Sequence, residues 1–198
     1  SLEDCSLTSP TGRQVDAKCG TLTVPEDRAN PDGRQIDLHI AVIPAITRSP
    51  EPDPVFLLAG GPGQSAIEAF PATFSLLFNI HQDRDIVLVD QRGTGKSNPL
   101  RCIDPEAEVL TDEEALTILK DCPKSLDADV RFYTTEIAMT DLDEVRAALG
   151  YDTINVYGAS YGTRAALTYL HMYPQHVRTV TLDAVVDPGF VMFMDAAE

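Results

Sequence analysis

Residues 153–170 read Thr-Ile-Asn-Val-Tyr-Gly-Ala-Ser-Tyr-Gly-Thr-Arg-Ala-Ala-Leu-Thr-Tyr-Leu and contain the pattern Gly-x-Ser-x-Gly at 158–162. The residues before this pattern are typical of a short β-strand, and those after it are typical of a helix that Pro174 closes. A sharp turn from strand to helix at a serine strains the backbone and projects the hydroxyl above the sheet, while the flanking glycines permit close backbone approach. The stretch therefore predicts Ser160 as a nucleophile, with a serine in an ordinary β–α turn as the alternative.

Further strand and helix patterns alternate along the rest of the chain. These segments are, in order, 20–24, 36–43, 55–59, 66–80, 86–89, 112–119, 135–149 and 177–182. The strand patterns 20–24 and 36–43, separated by the turn Asn30-Pro31-Asp32-Gly33, predict an antiparallel hairpin at one edge. The continuously apolar strands at 55–59 and 86–89 predict burial on both faces. The alternation predicts an α/β fold with a mostly parallel sheet and helices on both faces.

Composition limits the classes of function. The 198 residues suffice for one domain with a core, and 15 Lys and Arg against 31 Asp and Glu give a formal net charge of −16. This charge argues against nucleic acid and anionic membranes as partners. No apolar run approaches the roughly 20 residues that a membrane helix needs, which predicts no membrane span. The first residues carry no targeting segment, so we expect that none exists or that it has been removed.

Four cysteines stand at positions 5, 19, 102 and 122, and their spacing matches no zinc site, so we expect no metal. They form two close sequence pairs in polar, turn-rich regions, which predicts the disulfides Cys5–Cys19 and Cys102–Cys122. Disulfides favour a secreted or periplasmic protein. The alternative is four unpaired, buried thiols in a cytosolic protein.

A glycine-rich loop, Gly60-Gly61-Pro62-Gly63, follows the buried strand 55–59. A serine nucleophile needs backbone donors for the oxyanion, and one should be the N–H of Tyr161, directly after the serine. The second donor should come from this loop, with Gly61 as the candidate. Taken alone, the loop would be better interpreted as a tight turn containing Pro62.

Residues Gly93-Thr94-Gly95-Lys96-Ser97 invite comparison with a phosphate-binding loop, but the glycine that this pattern needs five residues before Gly95 is Asp90. A glycine-bearing turn after a strand is the better interpretation. Arg92 is predicted to hold nearby loops through a bidentate contact with a carboxylate, or else to be a solvated surface arginine.

Four motifs occur in order along the chain, at Gly60–Ser65, Asp90–Ser97, Gly158–Gly162 and Leu182–Pro188. Together they resemble the proline iminopeptidase / tripeptidyl aminopeptidase group of α/β-hydrolases over residues 20–190. The resemblance implies an α/β-hydrolase core, with Ser160 as the nucleophile, with Gly61 and Tyr161 at the oxyanion hole, and with no cofactor. The family usually has histidine before the first glycine, where this chain has Ala59.

In this fold the triad partners follow the serine in the order acid, then histidine. The acids after Ser160 are Asp183, Asp187, Asp195 and Glu198; the histidines after it are His171 and His176, and those before it are His39 and His81. None of these histidines fits a late loop returning over the serine, so neither a base nor an acid is assigned. We expect residues 1–198 to be the N-terminal part of a single catalytic domain, lacking the cap and C-terminal strands. A second polypeptide or a missing C-terminal segment should then complete the fold.

The favoured function is a serine hydrolase, exopeptidase-like, that works through an acyl-enzyme on a peptide or small ester or amide substrate. An esterase or amidase of the same fold is one alternative. A non-catalytic module that binds a ligand through the same cleft is another. Without an assigned base, residues 1–198 alone should not turn over substrate at an enzyme-like rate.

Overall fold

The computed structural model of the protein describes residues 1–9, 12–102, 111–187 and 189, whose strands form one seven-stranded sheet. The strands are β1 (Glu3–Thr8), β2 (Gln14–Pro25), β3 (Gln35–Ile43), β4 (Val55–Leu58), β5 (Ile86–Val89), β6 (Ile154–Ala159) and β7 (Val177–Asp183). Their order across the sheet is β1-β2-β3-β5-β4-β6-β7. The predicted α/β class is therefore confirmed.

The sheet changes strand direction at β5. The pairs β1–β2, β2–β3 and β3–β5 are antiparallel, and the pairs β4–β5, β4–β6 and β6–β7 are parallel. The predicted N-terminal hairpin is thus present as β2 and β3, and among the described strands parallel pairs equal the antiparallel ones rather than outnumber them. Strand β1 was not predicted, because it is an edge strand in which Leu7 alone is buried, so it carries little apolar pattern.

Five α-helices are described: α1 (Ala66–Ala69), α2 (Phe78–His81), α3 (Asp112–Ser125), α4 (Thr135–Leu149) and α5 (Tyr161–Met172). Helix α4 has the predicted bounds because both ends carry local signals. The Thr134 side chain accepts a hydrogen bond from the Ile137 N–H, and Gly150 ends the helix at φ 83°. Helix α3 extends beyond the predicted 112–119.

The segment 66–80 was predicted as one helix, but the structure has several short helical pieces over residues 66–81. Helix α1 is followed by 3₁₀ turns at Phe70–Ala72 and Phe74–Leu77, and then by α2. The physical reason is Pro71, which lacks a backbone N–H and sterically obstructs the preceding helical turn. The whole segment, residues 66–81, packs on one face of the sheet.

The sheet therefore has two faces, each with its own apolar cluster. On the first, called the α4–α5 face, the buried residues include Leu38, Phe56, Met139, Leu142 and Tyr169. On the second, called the 66–81 face, they include Ile43, Leu57, Ala66, Ile86 and Leu88. Because β4 and β5 are buried on both faces, they form the centre of the molecule.

Both predicted disulfides are present. Cys5–Cys19 joins β1 to β2 with its Cα atoms 5.8 Å apart, and Cys102–Cys122 joins α3 to the chain that follows β5 with a Cα separation of 5.3 Å. Within the described ranges, no helix is long and apolar enough to cross a membrane.

Candidate active site

Ser160 occupies a single-residue turn between β6 and α5. Its backbone angles are φ 53° and ψ −121°, and the residue is exposed. A non-glycine residue in such a region costs on the order of 1–3 kcal/mol and persists only where the surrounding structure holds it. The strand–serine–helix arrangement predicted from the sequence is therefore present, with the serine on the outside of the turn.

The two glycines of the pattern are required by close backbone contacts. A Cβ at Gly158 would overlap the carbonyl oxygen of Gly162. A Cβ at Gly162 would in turn overlap the carbonyl oxygen of Leu58, at the end of β4. Helix α5 can therefore start directly against the sheet only because both positions lack a side chain.

Hydrogen bonds fix the backbone of the serine on both sides. The Ser160 N–H donates to the carbonyl oxygen of Asp183 at 2.9 Å. The Ser160 carbonyl oxygen accepts the Thr163 N–H at 2.9 Å and the Thr163 hydroxyl at 2.7 Å. The Thr163 Oγ1 also accepts the Val186 N–H at 2.9 Å, which ties the segment after β7 to the turn. These bonds hold the strained conformation of Ser160.

The glycine-rich loop after β4 lies against the serine. A Cβ at Gly60 would lie 3.2 Å from the Ser160 Cβ and 3.2 Å from the Ala159 carbonyl oxygen, so the Gly60 backbone lies beside the turn and leaves little room for a side chain. The next residue, Gly61, has φ 105°, a value that favours glycine. Gly61, the predicted oxyanion donor, thus directly follows the glycine that lies beside the serine turn.

Tyr161, the first residue of α5, is fixed through its side chain. Its hydroxyl lies 2.9 Å from the Thr135 Oγ1 at the start of α4. Beside it open two cavities, of about 240 and 720 Å³, that share Pro62, Tyr133 and Tyr161 in their walls. The glycine-rich loop and the Tyr133 ring thus border the space next to the serine turn.

Arg92 makes the bidentate contact predicted for it. Its Nε and Nη2 donate to the two Asp141 carboxylate oxygens, each at 2.7 Å, and both side chains are almost fully buried. The Arg92 Nη1 also donates to the carbonyl oxygens of Glu26 and Phe132. These bonds reach α4, the residue after β2 and the 3₁₀ turn that precedes α4. Arg92 is therefore a structural cross-link rather than a surface arginine.

Tyr133 stands over the Arg92 guanidinium and is itself held in place. Its hydroxyl donates to the Glu26 carboxylate at 2.9 Å and accepts from the Asn98 side chain. Burial, followed by the hydrogen bond to Glu26, raises the pKa of Tyr133 to about 12. The ring therefore remains neutral and fixed beside the cavities at neutral pH.

Asp90, at the end of β5, was not singled out as a site residue by the sequence. Its carboxylate is buried and accepts the Ser65 hydroxyl at 2.6 Å, the Ile67 N–H at 3.2 Å and the Lys96 N–H at 3.2 Å. The turn at Gly93–Ser97 thus directs a backbone N–H towards a protein carboxylate, in agreement with the rejection of a phosphate-binding loop.

The four histidines lie at other places in the fold. His81 Nε2 is 2.7 Å from the Pro44 carbonyl oxygen, and His176 Nδ1 is 2.7 Å from the Asp143 carboxylate. His39 is in β3, and His171 is exposed on α5. In the part of the chain that is described, the Ser160 hydroxyl makes no hydrogen bond to a histidine.

Of the acids that follow the serine, Asp183 ends β7 and accepts the Tyr157 hydroxyl at 2.6 Å. That hydrogen bond, followed by burial, raises the pKa of Tyr157. Asp187 is exposed, while Asp195 and Glu198 lie outside the described residues. Across the described ranges, no three His, Cys, Asp or Glu side chains are grouped so that they could hold a metal ion.

Residues 53–196 match the family described as alpha/beta hydrolase fold. Because this match covers well over half of the chain, the protein belongs to the α/β-hydrolase fold family. The order of elements agrees with that family, since a parallel sheet centre carries the serine turn at the carboxyl end of β6.

The more specific resemblance is also found among relatives. The tripeptidyl aminopeptidase of Streptomyces lividans is 33% identical over 208 residues, covering 94% of this chain and 38% of the relative. The serine protease Hip1 of Mycobacterium tuberculosis is 32% identical over 193 residues, covering 87% of this chain and 36% of the relative. The chain thus spans less than half the length of these curated relatives.

A solved structure shares the fold. The crystal structure of proline iminopeptidase from Mycobacterium smegmatis superposes with a TM-score of 0.55 at 21% identity, covering 81% of this chain and 42% of the other. The resemblance to the proline iminopeptidase / tripeptidyl aminopeptidase group, predicted from the motifs, is confirmed.

Proposed function

We propose that the complete protein is a serine hydrolase, an exopeptidase of the aminopeptidase type, with Ser160 as its nucleophile. The observation that carries this proposal is the exposed serine at φ 53° and ψ −121° between β6 and α5, with Gly60 packed against it. A strained residue held by several hydrogen bonds at the carboxyl end of a parallel strand is the placement that a nucleophile needs.

In the proposed reaction the Ser160 hydroxyl gives its proton to the triad base and adds to the scissile carbonyl, and the C–N bond breaks as that proton passes to the leaving amine. Water then hydrolyses the acyl-enzyme ester, which releases the carboxylic acid product and restores the serine hydroxyl. The developing oxyanion accepts hydrogen bonds from the Tyr161 N–H and from the Gly61 N–H. Two features support these donors: Tyr161 begins α5, and Gly61 follows the glycine that contacts the serine. Loss of one such donor typically costs about 3 kcal/mol of transition-state stabilisation.

The triad acid and histidine are proposed to come from polypeptide outside residues 1–198. This is supported by the histidine positions, since His81 and His176 bond to Pro44 and Asp143. It is also supported by the relatives, of which this chain covers 38% or less in the two cases above. Residues 1–198 then form the N-terminal part of one catalytic domain.

The proposed substrate is a peptide with a free N-terminus, cleaved near that end. The support is the tripeptidyl aminopeptidase of Streptomyces lividans, which aligns with 94% of this chain. We also propose a secreted or periplasmic location, since both cysteine pairs are disulfide-bonded.

The test uses the complete natural polypeptide and a serine-directed phosphonate, followed by peptide mapping. We expect labelling of Ser160 alone, hydrolysis of tripeptidyl arylamides with a free amine, and loss of both in Ser160→Ala. The matched control is Ser49→Ala, which removes an exposed hydroxyl on a surface connection and should leave both unchanged.

Other outcomes would redirect the proposal. Labelling that persists in Ser160→Ala overturns the assignment of the nucleophile. Cleavage of aryl esters without any arylamide cleavage identifies an esterase. Ligand binding without labelling or turnover identifies a non-catalytic module. Residues 1–198 produced alone should show no enzyme-like turnover, and robust turnover would place the base within them.

A further inference from the structure

We infer that Asp90 is a positioning residue that fixes the glycine-rich loop, here taken with the two residues after it as residues 60–65, against Ser160. The inference rests on the proposed function, because it concerns the loop that carries the proposed oxyanion donor Gly61. Asp90 itself does not contact the serine; it acts through Ser65, the residue at which this loop ends.

The contacts of Asp90 connect it to the end of the loop. Its Oδ1 accepts the Ser65 hydroxyl at 2.6 Å and the Ile67 N–H at 3.2 Å. Ser65 is also the N-cap of α1, since its Oγ accepts the Glu68 N–H at 3.1 Å. One carboxylate oxygen therefore fixes both the last residue of the loop and the first turn of the helix that follows.

The second carboxylate oxygen binds a different segment. The Asp90 Oδ2 accepts the Lys96 N–H at 3.2 Å, and a Cβ at Gly95 would overlap this oxygen. That Cβ would also lie 2.9 Å from the Ser65 Oγ. The turn at Gly93–Ser97 is thus packed directly on the carboxylate, and Asp90 links this turn to the loop.

The surroundings of the Asp90 carboxylate differ from those of two other buried aspartates. The residue is 2% exposed, and among the described residues it forms no ion pair. Asp53 and Asp141 are similarly buried, but each pairs with arginines. A buried carboxylate without a cation relies on its hydrogen bonds, and hydrogen bonds to an ionised acceptor are about twice as strong as neutral ones. Asp90 therefore depends on its three donors, of which the Ser65 hydroxyl makes the shortest bond, at 2.6 Å.

The loop has little freedom to shift without consequence. Gly60 lies beside Ser160, since a Cβ added at Gly60 would stand 3.2 Å from the Ser160 Cβ, so a shift of the loop relative to the serine would also displace Gly61. Misplacement by about 1 Å can cost about 10²-fold in rate. Because the oxyanion forms only in the transition state, we expect the loss in kcat rather than in KM.

The experiment compares Asp90→Asn with the wild type in the complete natural polypeptide. Asparagine keeps the shape, but its NH₂ group must face one of the N–H or O–H donors. We expect kcat to fall about 10- to 100-fold with KM changed less than about threefold. Ser65→Ala should lower kcat in the same direction, and Ser65→Thr, which keeps the hydroxyl, should restore most of it.

Amide hydrogen exchange gives a second measurement that does not depend on turnover. In Asp90→Asn, exchange in the peptide covering residues 60–68 should accelerate about tenfold or more. The Ile67 N–H loses its carboxylate acceptor, and the Ser65 hydroxyl, which accepts the Glu68 N–H, loses the carboxylate that anchors it. The control is Asp53→Asn, a buried carboxylate at the opposite end of β4. It should lower the Tm while leaving kcat within about twofold and exchange in 60–68 unchanged.

The outcomes separate this inference from the proposed function. If Asp90→Asn and Ser65→Ala keep kcat within about twofold, or exchange in 60–68 is unchanged, while Ser160→Ala is inactive, the positioning role is wrong and the hydrolase stands. If the wild type is neither active nor labelled at Ser160, the proposed function fails. If Asp90→Asn does not fold, the Ser65 pair of variants decides.

Discussion

The α4–α5 face of the sheet and the 66–81 face differ in how completely their apolar side chains are buried. On the first, two long helices bury Met139, Leu142 and Tyr169, each at most 1% exposed. On the second, Leu76 is 81% exposed and Phe78 is 54% exposed. A cavity of about 670 Å³ runs between this segment and strands β6 and β7. Among the described residues, the α4–α5 face is therefore the more completely packed of the two.

The largest expected effect concerns the ion pair that holds α4 on the α4–α5 face of the sheet. Asp141→Ala removes the carboxylate that both Arg92 and Arg28 contact, and it leaves a buried guanidinium uncompensated. We expect the free energy of unfolding to fall by about 3–5 kcal/mol in urea denaturation. The control Asp121→Ala removes an exposed partner of Lys124 and should cost about 0–1 kcal/mol. Equal losses in the two variants would contradict the assignment.

A matched pair of leucines tests the two faces directly. Leu142→Ala, on α4, should cost about 2–5 kcal/mol because it leaves a cavity in close-packed surroundings. Leu76→Ala, with the same change in chemistry on the 66–81 face, should stay within about 0.5 kcal/mol. Urea denaturation of both variants measures the difference. A cost at Leu76 similar to that at Leu142 would show that this face is covered in the protein in solution.

The smallest expected effect is a pH dependence at the junction of α4 and α5. Burial alone would raise the pKa of Asp143, but hydrogen bonds from Arg146, Tyr169 and His176 outweigh it and lower that pKa. A lowered folded-state pKa stabilises the fold above the unfolded value of about 3.9, and this stabilisation disappears as the pH falls through the folded value. Asp143→Asn should therefore cost about 1 kcal/mol near neutral pH and less on acidification.

The measurement for Asp143 is urea denaturation of wild type and Asp143→Asn between about pH 3 and pH 7. The difference in unfolding free energy should shrink as the pH falls below about pH 4. A difference that grows as the pH falls would contradict the lowered pKa.

The sequence predicted well those features whose causes are local. The turn at Ser160 follows from Gly158 and Gly162, which stand two residues away on either side. Both disulfides join cysteines that are near neighbours among the four, with separations of 14 and 20 residues. Helix α4 is bounded by its own caps, Thr134 and Gly150.

Features that depend on distant residues were not predictable in the same way. A carboxylate partner for Arg92 was predicted. That the partner is Asp141 was not predicted, since 49 residues separate the pair. Asp90 received no role because its donors come from two other segments. The break at Pro71 is different, because a proline within a helical pattern is a local signal that could have ended the predicted helix.

Thr163 joins the serine turn to the chain beyond β7, and this has a consequence for how the molecule opens. Its hydroxyl bonds to the Ser160 carbonyl oxygen and to the Val186 N–H, while the Ser160 N–H bonds to Asp183. Local unfolding proceeds in contiguous cooperative units rather than bond by bond. The amides of Ser160 and Val186 should therefore become accessible to solvent in the same opening event. Unfolding of residues 183–186 would then also release the backbone of Ser160 from its fixed conformation, rather than shift the serine to a new position.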